Sequence, residues 1–267
     1  MHEPTAFVLI HSPICGPDTW EPVSMALRAN GAQTVVPDLG VGDAPPYWRA
    51  HTRCIVRSIA EEVAPGVPLV LVAHSGAGQL LGVLGLVLHD VGYRVSSYIL
   101  ADAGLPPDNE SRLQQLERAS PEFSAELRRH FDAGGSFPAW TDEALQPLIP
   151  DDQRRERLLA GVRRLPYDYW RETIPRATDW PEAPVGVLLF SGSYEATAQA
   201  AAEAGWPLRR LSASNHFLPL ADENAVGEEV VVLAEDLSAA PARNTTPAPV
   251  RGTTPATGRG TTPATGR

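Results

Sequence analysis

Between residues 5 and 104 the chain repeats one pattern: a short, continuous apolar run, a cluster of turn-forming residues, then a segment of helical periodicity. Thr5 to Ile10, Thr34 to Val36, Leu69 to Val72 and Ser96 to Ala101 read as strands, because an apolar run without alternation suits a strand covered on both faces. Glu21 to Asn30 and Arg49 to Val63 read as helices, the first stopped by Gly31 in a left-handed cap. Strands alternating with helices predict an α/β fold, a mostly parallel sheet with helices on both faces. Ligands on such sheets bind at the carboxyl ends of the strands. The loops at His11, Asp38, Ser75 and Asp102 therefore share one rim.

From 105 to 184 the alternation stops. Asn109 to Arg118, Pro121 to Phe131, Asp142 to Ile149, Asp151 to Leu165 and Tyr167 to Ile174 read as helices with no strand among them. This predicts a helical cap inserted between two strands and lying over the rim. Phe137, Trp140, Tyr167, Tyr169 and Trp170 are placed to line an apolar pocket beneath it, although aromatic residues in such a segment also serve simply as its core. The sheet pattern resumes at Val185 to Phe190 and Leu208 to Leu211, with helices at Glu195 to Ala204 and Asp222 to Leu237. Residues 1–104 and 185–238 then form one core, 105–184 its cap, and 239–267 a tail. In the tail Gly252 to Arg259 recurs as Gly260 to Arg267, a Thr/Pro/Gly/Ala tract too poor in large apolar residues to offset its ordering entropy.

Charge narrows the function. A formal net charge of -10 argues against nucleic-acid and anionic-membrane partners. Every cation besides histidine is arginine, which excludes Schiff-base chemistry and a phosphate-loop lysine. Together with the alanine and proline content this suits a GC-rich bacterial gene. Cys15 and Cys54 have neither metal nor redox spacing and read as free thiols. No basic segment and apolar core of signal type opens the chain, so a soluble cytoplasmic protein is expected. No cofactor or metal is called for; the expected partner is a small-molecule substrate, with the oligomeric state open.

The chemistry centres on Ala73-His74-Ser75-Gly76-Ala77-Gly78. Ser75 stands between a strand and a helix, with small residues two positions to either side, as a strained nucleophile elbow requires. Alanine replaces the usual glycine at both positions. A rival reading takes Gly76, Gly78 and Gly82 as a dinucleotide turn with Asp102 as the ribose acid, but the spacing is one residue too long and His216 is left unexplained.

Phe7-Val8-Leu9-Ile10-His11 with Trp20, the Ser75 elbow, and Asn215-His216-Phe217 together resemble the α/β-hydrolase superfamily, in its serine-nucleophile branch. The N-terminal module is similar to the plant methyl esterase and hydroxynitrile lyase group. The resemblance implies the α/β-hydrolase fold and a Ser…acid…His order: Ser75 as nucleophile, His216 as its base, and either Glu195 or Asp102 as the acid, with Asp38 more in keeping with a turn. It also implies an oxyanion hole built on the Gly76 N–H. The second donor falls at Pro13, which has no N–H, so Ile14 would have to serve. The activity implied is hydrolysis of an ester, thioester or lactone of a small apolar substrate. The defect at Pro13 keeps open a repurposed lyase or cyclase of biosynthesis.

Overall fold

The computed structural model describes residues 5–42, 44–178 and 180–239. Six parallel strands form the sheet: β1 (Ala6–Ile10), β2 (Gln33–Val35), β3 (Leu69–Ser75), β4 (Val95–Ala103), β7 (Val185–Leu189) and β8 (Leu208–Arg210), in the order β2-β1-β3-β4-β7-β8. Both faces of the strands are apolar, and the period of two sorts them into separate cores. On β1, Ala6, Val8 and Ile10 face α2 (Tyr47–Glu62), α3 (Leu81–Asp90) and α9 (Glu195–Ala204), whereas Phe7 and Leu9 face α1 (Glu21–Ala29) and α11 (Glu223–Ala239). On β3, Leu69, Leu71 and Ala73 join the first core and Val70 and Val72 the second. The α/β-hydrolase architecture follows. The helices end as their residues dictate: Gly31 and Gly205 take φ of 85° and 68° after α1 and α9, and the Asp222 carboxylate accepts the Ala225 N–H at 3.1 Å at the start of α11.

Residues 105–184 hold α4 (Arg112–Ala119), α5 (Pro121–Asp132), α6 (Asp142–Leu145), α7 (Asp152–Ala160) and α8 (Tyr167–Arg171). Several expectations fail here, and α7 and α8 stop at Ala160 and Arg171, short of Leu165 and Ile174. The segment is not strand-free: β5 (Glu110–Ser111) and β6 (Thr173–Ile174) pair antiparallel and close it at its base. The helix expected over Asp142 to Ile149 is one turn, because Pro147 cannot continue it. After β8 a further short helix, α10 (Leu218–Ala221), precedes α11. The Gly252 repeats lie outside the described residues. Among the described residues, no helix is long and apolar enough to cross a membrane.

Candidate active site

Ser75 ends β3 at φ 59°, ψ -128°, a conformation outside the regions open to ordinary side chains. The turn needs small neighbours. Ala73 and Ala77 are fully buried, and a Cβ on Gly78 would run into the Gly104 carbonyl. Only glycine fits at 78, so the elbow helix sits tight against the end of β4. Ser75 is 8 % exposed.

Asp102 lies at the end of β4, next to β3, with φ 45° and no exposed surface. Its Oδ2 accepts the His216 Nδ1–H at 2.7 Å and the Ser191 hydroxyl, and its Oδ1 accepts the Ser191 and Phe190 N–H groups at 3.1 and 3.3 Å. Burial alone would raise its pKa, but His216 and the Ser191 hydroxyl together hold the carboxyl below the usual range. With Nδ1 committed to Asp102, neutral His216 keeps Nε2 as the proton acceptor. Glu195, the other candidate acid, is half exposed and pairs with Arg210 at 2.7 Å across the turn from α9 to β8. The same arrangement removes Asp102 from the ribose role that the dinucleotide reading gave it.

Ser75 Oγ is hydrogen-bonded not to His216 but to the Tyr194 hydroxyl, at 3.1 Å. The Tyr194 ring stacks on that of His216, with centroids 5.6 Å apart. Burial pushes this phenol up to about 12, so it stays protonated across the neutral range. Nothing in the sequence singled Tyr194 out. Two other histidines brace the site in neutral form. His74, lowered to about 3 by burial, donates Nε2–H to the His216 carbonyl at 3.0 Å; His11, lowered to about 4 by burial, donates Nδ1–H to the Ser12 carbonyl at 2.8 Å.

The loop after β1 turns tightly, the Cys15 N–H bonding the Ser12 carbonyl at 2.8 Å, with Pro13 and Ile14 at the corner. The Ile14 carbonyl accepts the Arg163 N–H at 3.0 Å, which ties the turn to the segment between α7 and α8. Around Gly76, the place of a Cβ lies 3.5 Å from Ser12 Oγ, 3.7 Å from Pro13 Cδ and 3.9 Å from the Tyr169 hydroxyl. The Ser12 hydroxyl is therefore the nearer of two polar side-chain groups beside Gly76, the Tyr169 hydroxyl being the other, where Pro13 offers none. Asp38 closes a turn onto the Gly40 N–H at 2.9 Å and pairs with Arg163.

Ile14, Tyr169, Leu145, Ile149, Leu165 and Phe217 form one apolar cluster that joins residues 105–184 to the loops after β1 and β8, with Trp140 and Trp170 packed against it. Trp140 meets Phe217, the residue after His216, edge-on at 5.2 Å. Cys15 is buried, which pushes its thiol up to about 12, and Cys54 is partly so; neither is paired. Among the described residues, no cluster of His, Cys, Asp or Glu is arranged to hold a metal.

The model of the Alpha/beta hydrolase family matches residues 7–230, and the chain belongs to that family. No curated protein matches it. Among solved structures it is similar to an extracellular alpha/beta-hydrolase from a Paenibacillus species, described as sharing structural and functional homology with tobacco salicylic acid binding protein 2 (16% identity, TM-score 0.68, covering 86% of this chain and 99% of that one). Polyneuridine aldehyde esterase is similar too, at 15% identity and TM-score 0.66 over 86% of this chain and 99% of that one. So is tomato methylketone synthase I, at 13% identity and TM-score 0.62 over 87% of this chain and 98% of that one. At these identities the likeness is one of fold, in keeping with the methyl-esterase-like N-terminal module.

Proposed function

We propose that this protein is a serine hydrolase of carboxylic esters or thioesters, with Ser75 as nucleophile, His216 as general base and Asp102 as the acid that orients it. The carrying observation is the pairing of buried Asp102 with the partly exposed His216 at 2.7 Å, set beside a serine in the strained elbow conformation. Ser75 Oγ attacks the acyl carbon while His216 Nε2 takes its proton. The Gly76 N–H and the Ser12 hydroxyl receive the oxyanion, the latter replacing the donor that Pro13 lacks. The intermediate collapses to an acyl-serine as His216 returns the proton to the leaving alcohol or thiol. Water, deprotonated by His216, then releases the acid and frees Ser75. Ester and water thus become acid and alcohol, with no cofactor required. The apolar cluster of Ile14, Tyr169 and Phe217 supports an acyl or alkyl body of modest size. Before attack, the Ser75 hydroxyl must exchange Tyr194 for His216.

Labelling with a fluorophosphonate probe tests this reading. It expects labelling of the wild type that is lost in both Ser75→Ala and His216→Ala. A folded wild type that does not label sinks it. The second reading, a lyase or cyclase that keeps the fold without an acyl-enzyme, is favoured by Pro13 and by the Ser75–Tyr194 bond. It predicts no labelling and no burst on activated esters.

A further inference from the structure

Residues 105–184 hold a buried cation with three of its five N–H donors unspent. Arg112 opens α4, is 3 % exposed, and lies over the Tyr169 ring with its guanidinium carbon 3.9 Å from the centroid. Nη1 donates to Glu172 Oε1 at 2.8 Å and to the Tyr169 carbonyl at 3.2 Å. Nε and Nη2 make no hydrogen bond. These two atoms form the side-on edge of the guanidinium, whose parallel N–H bonds match the two oxygens of a carboxylate. A buried fork left unmade is costly, more so than for a neutral donor. Glu172 is the counter-charge of Arg112 but meets it through Nη1 alone. Its carboxylate also accepts the N–H groups of Tyr47 and Trp48, at 2.6 and 3.0 Å, at the start of α2, where the helix dipole favours an anion.

The fork lies close to the elbow. One turn along α4, Gln115 bonds Gln79, in the turn that follows Ser75, and also donates to the Leu105 carbonyl at 3.2 Å. The Tyr169 ring that carries Arg112 ends in a hydroxyl 3.9 Å from the place of a Gly76 Cβ. One tyrosine ring thus spans the distance from the guanidinium to the oxyanion side of the site. Tyr47 and His51 pack edge-on against that ring at 6.1 and 6.0 Å.

We propose that the Nε/Nη2 edge of Arg112 is a carboxylate subsite, and that the substrate is an ester or thioester carrying a second, ionised carboxylate, such as the half-ester of a short dicarboxylic acid. The proposal rests on the serine-hydrolase reading for the bond that is cleaved. It changes the expected substrate from wholly apolar to one with an apolar body and an anionic end.

The test uses Ser75→Ala protein, so that binding is read without turnover. Monomethyl succinate, glutarate and adipate are titrated against their dimethyl esters by calorimetry. The best-fitting monomethyl ester should bind about tenfold or more tightly than its dimethyl partner, the scale of one charge-assisted bidentate contact. Adding Arg112→Lys should abolish most of that preference, since an ammonium keeps the charge but cannot donate two parallel bonds. Arg112→Met, checked for folding by its melting temperature, should abolish it altogether. In the Ser75-intact enzyme the ratio of kcat/KM for half-ester over dimethyl ester should fall by the same factor in Arg112→Lys. Equal binding of mono- and dimethyl esters, or a preference undiminished by Arg112→Lys, overturns the subsite. A failure of the hydrolase reading looks different: the binding preference stands while Ser75 takes no fluorophosphonate.

Discussion

Asp102 and His216, 114 positions apart in the chain, meet at 2.7 Å at the carboxyl end of the sheet, with the carboxylate wholly buried and filled by four donors. Glu195, which begins α9 just beyond β7, spends its charge on Arg210 in solvent. If Asp102 serves as the acid of the proposed triad, Asp102→Asn should lower kcat by roughly a thousandfold or more by favouring the wrong imidazole tautomer. Glu195→Gln should change kcat less than about twofold and leave stability nearly unchanged, since the pair it breaks is solvent-exposed. Steady-state kinetics on an activated ester, with urea unfolding beside it, checks both; the reverse ranking would reassign the acid.

Ser12 carries the proposal for the oxyanion hole. Ser12→Ala should lower kcat by about a hundredfold with little change in KM, the usual consequence of losing one donor to a developing oxyanion. Ser12→Thr, which keeps the hydroxyl, should recover most of the rate. An unaffected Ser12→Ala enzyme would hand the second donor to the Ile14 N–H.

In the proposed triad the phenol of Tyr194, hydrogen-bonded to Ser75, competes with His216 for the serine hydroxyl. Tyr194→Phe removes that hydroxyl and leaves the ring stacked on His216, so fluorophosphonate labelling of Ser75 should proceed at the wild-type rate or a few times faster. Stability should fall by about 1 kcal/mol, the net worth of one hydrogen bond. A fall of tenfold or more in labelling rate would instead make the hydroxyl part of the catalytic machinery.

Three buried neutral histidines set the acid limit of the fold. His11, His51 and His74 are held by burial at about 4, 3 and 3, against about 6.5 in an unfolded chain. Their protons bind the unfolded state first, so stability is full above pH ~6.5 and falls as the pH drops toward ~4, by roughly 1.4 kcal/mol per group per pH unit. Urea midpoints from pH 7 to pH 5 should therefore decline steeply. His51→Gln, which touches neither Ser75 nor His216, should flatten that slope by about one proton. An unchanged slope would remove His51 from the account.

Much of this could be read locally. The strand-turn-helix at Ser75 is legible because a buried strand, a strained turn and a helix start each leave their mark within a dozen residues. The choice of acid was not legible. Asp102 and Glu195 both follow strands, and each fits a turn or a helix start equally well. What separates them is that β4 lies between β3 and β7 in the sheet, so the Asp102 side chain, at φ 45°, meets the donors of the β7 turn and the histidine loop together. The β5–β6 pair escaped notice for a related reason: two-residue strands show no periodicity, and their partners stand far apart in the chain.

By itself, then, the sequence determined the α/β order, the apolar strands with two covered faces, the strained elbow at Ser75 and the histidine after the last strand, since each arises from the properties of neighbouring residues. Only the tertiary structure decided which carboxylate faces His216, that Tyr194 holds the serine hydroxyl, that Ser12 stands where Pro13 has no N–H, and that Arg112 keeps an open fork beside Tyr169. Three of those relationships join residues 57, 114 and 119 positions apart along the chain. They depend on which strands are neighbours and how the cap is laid over them, and no window along the chain contains that information.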